Sequence, residues 1–324
     1  MSNYSVMKGL CALIFAFSLL GACTSRPGEP KVLVFSKTDG YYHESIPEGN
    51  QAIINLGKQN GIVVDTTTNS KMFTEEILKE YSSVIFLNTT GEVLNNAQQA
   101  EFERYIQAGG GFVGIHSAAD TEYSWDWYGK MVGGYFTDHP GINDPHPNVQ
   151  EGELKIIDKN NSTTSFLPEI WTRTDEWYSY KNFNSDVNVL ISLDEDSYQG
   201  GEDMGEHPIA WYHAYDGGRA FYTGGGHTRG AYKEELFLKH LLEGIKYTIG
   251  ENQQLDYANA KSRPVPDADR FEKVNLVMGT FKEPTEMAIL PNLDILVSQR
   301  RGEVLLYKDG SNEVNKVAHL DVYW

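Results

Sequence analysis

Two histidines stand at matching places in the chain. His116 follows the apolar run Phe112 to Ile115, and His227 follows Ala220 to Thr223 and three glycines. Each closes a strand-like segment beside a turn of small residues, Ser117-Ala118-Ala119 in one case and Gly224-Gly225-Gly226 in the other. His43, Asp120 and Glu176 fall on adjoining loops. Imidazole titrates near neutral pH and a neighbouring carboxylate can orient it, so the set suits general acid/base catalysis by His116 and His227 with Asp120 or Glu176. The same types ligate divalent cations, with His116 and His227 the candidate ligands. No local His-x-x-x-His pair selects between the two chemistries, and both stay open. Aromatic side chains interleave the polar ones. Apolar ring faces beside hydrogen-bonding groups suit a sugar, whose C–H faces stack while its hydroxyls need partners. Tyr42, His43, Trp125, His139, Trp177 and Trp211 are therefore the expected substrate-binding set. Other chemistries are poorly supported. The triple glycine lacks the Lys-Ser/Thr of a P-loop, and Gly40 alone makes no dinucleotide fingerprint.

The elements that must position these residues alternate regularly. Lys31 to Ser36, Gly61 to Thr67, Ser83 to Asn88 and Phe112 to Ile115 read as strands rich in apolar or β-branched residues. Between them, Pro47 to Leu56, Thr74 to Leu78 and a segment capped by Asn95 or Asn96 read as helices. Such alternation predicts an α/β fold with a doubly wound parallel sheet. Right-handed crossovers then bring the loops after the strands to one edge, where open α/β sheets bind ligands. His43, Asn88 to Glu92, and His116 should share that crevice, and His227 should join them. Beyond Asp120 the pattern loosens. Glu153 to Ile157 and Asn188 to Leu193 read as strands, and His207 to His213 and Gly218 to Thr223 as a hairpin turning at Asp216-Gly217. A helix with Leu238, Leu241 and Ile245 closes the domain near Gly250.

The termini carry separate signals. Lys8, the apolar run Leu10 to Leu20 and the sequence Leu20-Gly21-Ala22-Cys23 resemble a bacterial lipoprotein signal, so residues 1–22 are expected to be removed and Cys23 lipidated. That places the protein in the bacterial cell envelope, facing the periplasm or the cell surface, with residues 23–30 as a tether. Loss of Lys8 takes the net charge from −18 to −19, and the absence of a basic patch argues against a nucleic-acid partner. Cleavage also removes Cys11, leaving no disulfide and no thiol nucleophile. A domain is expected over 31–250, then a polar linker over 251–270 holding Pro264 and Pro266. Over 271–324, Asn275 to Thr280, Met287 to Leu290, Ile295 to Ser298 and Val304 to Tyr307 are short strands, read as an incomplete propeller blade because the chain stops inside the pattern.

The motifs Gly40-Tyr41-Tyr42-His43-Glu44-Ser45, Gly114-Ile115-His116-Ser117-Ala118-Ala119-Asp120, Asp175-Glu176-Trp177-Tyr178 and Gly226-His227-Thr228, with Phe136 to Pro140 and Pro208 to Trp211, resemble the ThuA (trehalose utilisation) family over Lys31 to Gly250. The resemblance implies a flavodoxin-like sheet, similar to class I glutamine amidotransferases. In those enzymes a cysteine occupies the turn of His116, so amidotransferase chemistry is out of reach here. It further implies a role in the metabolism of disaccharides, glycosides or 3-keto sugars by a lyase, isomerase or hydrolase. A surface lipoprotein that binds carbohydrate without converting it is the alternative. Pro284 to Asn292 and Asp294 to Val304 resemble the first blade of glucose/sorbosone dehydrogenase-like propellers. Those propellers use PQQ, which only a complete propeller would hold, and no dehydrogenase residues are carried over.

Overall fold

The computed structural model describes residues 28–251, 254–266, 270, 272–311 and 313–323. The signal segment and Cys23 lie outside the described residues. The chain divides into two units that part between Val265 and Pro266.

In the first unit, apolar runs of five residues form β1 (Lys31–Phe35), β3 (Ser83–Leu87) and β4 (Gly111–Ile115), each buried over nearly its whole length. A strand with no polar face must be covered on both sides. The covering helices are α1 (Ile46–Asn60), which leads to β2 (Val63–Thr67), the single turn α2 (Glu75–Leu78), α3 (Asn96–Gln107) and, near the end of the unit, α5 (Glu235–Ile249). Their ends follow local chemistry. Pro47 opens α1, Gly61 closes it in a left-handed conformation (φ 67°), and Asn95 with Gln98 forms a capping box on α3. Gly49 lets α1 approach the sheet closely, since a Cβ there would lie 2.9 Å from Leu87 Cδ1. The order β2-β1-β3-β4 reverses direction at β1, so right-handed crossovers place the helices on both faces.

The strand β11 (Gly218–Thr223) adds to β4 in parallel, as Tyr222 pairs with Gly114 and Thr223 with Ile115. Beyond β11 the parallel sheet gives way to an antiparallel extension, beginning with the hairpin expected at Asp216-Gly217. Among the described residues the sheet has nine strands, and β10 (His207–Tyr215), β9 (Asn188–Leu193), β6 (Val149–Ile156) and β7 (Ile170–Glu176) continue it antiparallel. The cause is local. Asp216 (φ 43°) and Gly217 (φ 101°) form a tight turn that joins β10 to β11 directly and reverses the chain. Besides β7, further elements were not expected from the sequence. The helix α4 (Asp126–Val132) packs its Tyr128 and Met131 inward, and β5 (Tyr135–Asp138) pairs with β8 (Ser179–Lys181) in a small second sheet.

The start of the polar segment read as a linker is docked on α3. Gln107 Oε1 accepts from the backbone N–H groups of Lys261 (2.7 Å) and Ser262 (2.9 Å). The second unit holds one antiparallel meander of β12 (Pro284–Ile289), β13 (Ile295–Gln299), β14 (Glu303–Tyr307) and β15 (Val314–His319). Asn275 to Thr280 joins no ladder, and β15, with its alternating polar residues, is a strand the sequence reading passed over. No propeller ring is formed among the described residues. Nor is any helix among them long and apolar enough to cross a membrane.

Candidate functional site

Three strand ends meet at the carboxyl edge of the parallel half. His43 follows β1, His116 follows β4, and His227 follows β11. Their rings lie in mutual edge contact, His43 at 5.0 Å from His116 and 5.1 Å from His227, with 5.1 Å between His116 and His227. The shared crevice expected from strand alternation is thus present. Its backbone is tied across the loops. Asn88 Nδ2 donates to Ser45 Oγ (3.0 Å) and to the carbonyl of Gly226 (3.1 Å), which also accepts from Ser45 Oγ (3.2 Å).

His116 sits at φ +49°, a left-handed conformation that costs a non-glycine residue energy. The surroundings hold it there. Tyr222 donates its phenol hydrogen to the His116 carbonyl at 2.7 Å, and Tyr178 lies against the imidazole with ring centres 4.1 Å apart. The result is a sharp elbow that throws an imidazole off the end of β4. The glycines before His227 answer to packing. A Cβ at Gly224 would lie 2.5 Å from Tyr180 Oη, and Gly226 has φ +114°.

Glu176, at the end of β7, completes the cluster. Its Oε2 lies 2.8 Å from His227 Nδ1 and 3.2 Å from His116 Nε2, and those two nitrogens are 3.2 Å apart. Its Oε1 accepts from Asn148 Nδ2 at 2.6 Å, with His139 Nε2 at 3.6 Å. Burial alone would raise this carboxyl, yet hydrogen bonds and charge from His116 and His227 outweigh it and hold Glu176 well below the usual carboxylate range. His43 shows the opposite balance. Burial first, then the two neighbouring imidazoles, push it down to about 2, so it stays neutral at physiological pH. His116 Nδ1 lies 2.9 Å from the Gly224 carbonyl, a partner that only an N–H can satisfy. His43 Nδ1 lies 3.3 Å from Ser117 Oγ. The free nitrogens therefore face the cluster, and one donor atom from each of His43, His116, Glu176 and His227 falls within 4.8 Å of all the others.

The cluster floors a cavity of about 300 Å³ lined by Tyr41, Asp120, Phe136, His139, Ile142, Asn148 and Tyr178 in addition to His43, Glu176 and His227. Asp120 is in this wall as expected, but it does not orient an imidazole. Its Oδ1 accepts the Tyr123 phenol at 2.6 Å. Burial raises the Asp120 carboxyl, partly offset by that hydrogen bond. The tryptophans expected to bind substrate do not line the cavity. Trp177 and Trp211 are buried, with indole N–H groups donating to the carbonyls of Gln150 (3.0 Å) and Val132 (2.8 Å). Trp125 is buried against Trp127 and Tyr128 and donates to Glu103. Large rings close to the sheet were simply core. Tyr42 is exposed and outside the lining, and its neighbour Tyr41, 63% exposed, takes the place at the mouth.

The sequence reading also missed Asp175, which makes no contact with the cavity. Its carboxylate accepts from the backbone N–H groups of Gly226 (2.8 Å), His227 (3.0 Å) and Thr228 (3.3 Å) and pairs with buried Arg173 at 2.9 Å. The glycine turn is an anion cradle, and the protein's own carboxylate fills it. An acidic residue directly beside Glu176 on a strand, where it must point to the other side, was the available signal.

An α/β domain with a histidine–carboxylate floor at the carboxyl edge of its parallel strands is the class that fold and site define. Residues 31–248 match the ThuA family, described as trehalose utilisation, and the chain belongs to that family. Two solved structures share the fold. A ThuA-like protein of Bacteroides uniformis superposes with a TM-score of 0.60 at 24% identity, covering 74% of this chain and 99% of its own. A ThuA-like protein of Parabacteroides merdae gives 0.56 at 18% identity, covering 70% of this chain and 91% of its own. No curated protein matches the chain.

Proposed function

We propose that this protein converts an oxidised carbohydrate, a 3-keto glycoside or disaccharide, by proton abstraction beside the carbonyl. The observation that supports this reading is the division of labour within one cavity. The floor is a cluster of imidazoles around an ionised Glu176, and Asp120 stands apart in the wall with a carboxyl raised by burial. A carboxyl raised by burial is a stronger base than a free one and is suited to taking and returning a proton. A carbonyl acidifies the neighbouring C–H. Asp120 takes that proton, and the electron pair moves to the carbonyl oxygen, which the floor engages. Return of the pair forms a carbon–carbon double bond and breaks the bond to the β-substituent, the glycosidic oxygen, which leaves and takes up a proton. The products are an unsaturated keto sugar and a free alcohol. Tyr41, Phe136, Tyr178 and Ile142 supply apolar surface for sugar C–H faces, while Asn148 and His139 offer polar partners.

Within the same reading, Cys23 carries a lipid anchor that holds the domain at the bacterial envelope, and the C-terminal meander is a first blade of a glucose/sorbosone dehydrogenase-like propeller. A lipoprotein that only binds carbohydrate would need aromatic platforms, and Trp125 and Trp177, two of those expected, are core residues. The test is incubation with 3-keto-disaccharides and their unoxidised parents. Turnover of the keto forms alone is expected, with losses of 10²-fold or more in Asp120→Asn and Glu176→Gln, the scale of a lost acid/base group. Wild-type rates in His116→Ala and His227→Ala would overturn it.

A further inference from the structure

The floor of the cavity has too few hydrogens for its donor atoms. His116 gives its Nδ1 hydrogen to the Gly224 carbonyl at 2.9 Å, so in the neutral ring Nε2 is a bare lone pair. That lone pair faces Glu176 Oε2 at 3.2 Å and His227 Nδ1 at 3.2 Å, and the last two are 2.8 Å apart. With both rings neutral, these three electron-rich atoms in mutual contact share at most one hydrogen, the one on His227 Nδ1, and it is positive charge among them that holds Glu176 ionised. His43, whose Nδ1 faces Ser117 Oγ, brings a fourth donor within 4.8 Å of the rest. A cation at the centre satisfies all four at once. With metal–ligand bonds of about 2.0–2.2 Å, tetrahedral donors sit roughly 3.3–3.6 Å from one another; the three short separations of 2.8–3.2 Å lie just below this and open slightly on binding, while the longer ones, up to 4.8 Å, close by side-chain rotation.

We infer that His43, His116, His227 and Glu176 form a mononuclear divalent-metal site of the zinc class, with three imidazole nitrogens and one carboxylate oxygen. The supporting shell is what such a site requires. The Gly224 carbonyl fixes the His116 tautomer, Ser117 Oγ holds the His43 ring by its Nδ1, Asn148 holds Glu176 Oε1 and so leaves Oε2 as the single oxygen offered, and Asp175 fixes the backbone of the His227 turn. The donor set selects among metals. Imidazole suits zinc, cobalt, nickel, copper and iron, whereas a calcium or magnesium site is built of oxygen. The cavity opens onto the cluster, leaving one side accessible to a substrate oxygen.

The inference deepens the proposed function by naming what engages the carbonyl oxygen, but its test needs no sugar. Full-length protein is stripped with a chelator, and zinc or cobalt(II) is titrated back. One equivalent per chain is expected, with cobalt giving the visible spectrum of a four- or five-coordinate nitrogen and oxygen site. X-ray absorption on the zinc form should report about three nitrogen donors from imidazole. His43→Ala, His227→Ala and Glu176→Gln should each weaken zinc binding by tenfold or more, and His139→Ala, in the cavity wall, should leave it unchanged. A folded wild-type protein that takes up neither metal at micromolar concentration overturns the site, as does zinc affinity unaltered in His43→Ala and His227→Ala. Should a variant fail to fold, the cobalt spectrum and the absorption measurement on the wild type still decide. A chain that binds one zinc yet leaves keto sugars untouched keeps the site and refutes only the proposed reaction.

Discussion

Asp175 and His227 are joined by a 3.0 Å hydrogen bond from the His227 backbone N–H to Asp175 Oδ1, although their strands lie at opposite ends of half the sheet. In sheet order β7 is four strands away from β11. The antiparallel extension must therefore coil back over the carboxyl edge, and it delivers Asp175 to the glycine turn and Glu176 to the imidazoles together. Alternation along β7 does the rest, aiming adjacent side chains to opposite sides.

Asp175→Asn tests that coupling. It leaves Arg173, whose side chain is 3% exposed, with Glu234 as its remaining carboxylate and removes the charge that three N–H groups share. Breaking a buried pair from one side costs about 3–5 kcal/mol. Denaturant unfolding should show a loss of that order. A purely structural role would stop there. A positioning role predicts in addition that the surviving folded protein binds zinc and keto sugar more weakly than wild type, with Asp175→Glu restoring neither in full.

Asp120 should control the acid limb of any turnover. Only its ionised form takes a proton, so activity should rise with pH through its pKa. Burial raises that pKa, and the Tyr123 phenol holds it partly down. Removing the phenol in Tyr123→Phe takes away a stabilising partner of the ionised form. The acid limb of the kcat/KM profile should then move to higher pH, with the rate plateau retained. A limb that stays in place or moves lower would show that another group titrates there.

The legible part of the molecule was the part fixed by local pattern. Apolar pentads gave β1, β3 and β4 close to their observed bounds, Asn95 marked a helix start, and the crossover rule put His43, His116 and His227 on one rim. What was not legible depends on tertiary return. Nothing in the Thr174 to Tyr180 segment says that β7 coils back, so Glu176 and Asp120 could not be ranked as partners of the imidazoles. The tryptophans misled because their amphipathic rings serve a core and a sugar site equally well, and only the positions of Gln150 and Val132 carbonyls decide. In the second unit, β15 escaped because its polar, exposed residues lack the apolar run that betrays a buried strand.

Aromatic substitutions should separate core from cavity. Trp177→Phe loses the indole hydrogen bond to Gln150 and part of a fully buried ring, a destabilisation of about 1–3 kcal/mol, with KM for a keto sugar unchanged. Tyr41→Ala removes an exposed ring at the cavity mouth and should leave unfolding free energy within about 0.5 kcal/mol of wild type while raising KM. Steady-state kinetics beside urea denaturation reads both. The reverse pattern would return the sugar platform to Trp177.

His240 predicts an acid-sensitive fold. It lies on α5, fully buried between Trp171 and Phe221, with Nδ1 at 2.9 Å from the Thr163 carbonyl and Nε2 without a partner. Burial pushes its pKa down to about 4, against an ordinary value near 6.5. Between those limits the unfolded chain binds a proton that the folded chain refuses, so stability falls as pH is lowered through this window and levels off below about 4. The gap corresponds to a loss on the order of 3 kcal/mol. His240→Asn keeps a side-chain N–H for Thr163 but cannot titrate. Unfolding free energies measured from pH 7 to pH 4 should fall less steeply in this variant than in wild type, whatever its stability at pH 7. Parallel curves for the two proteins would show that His240 is already protonated inside the fold.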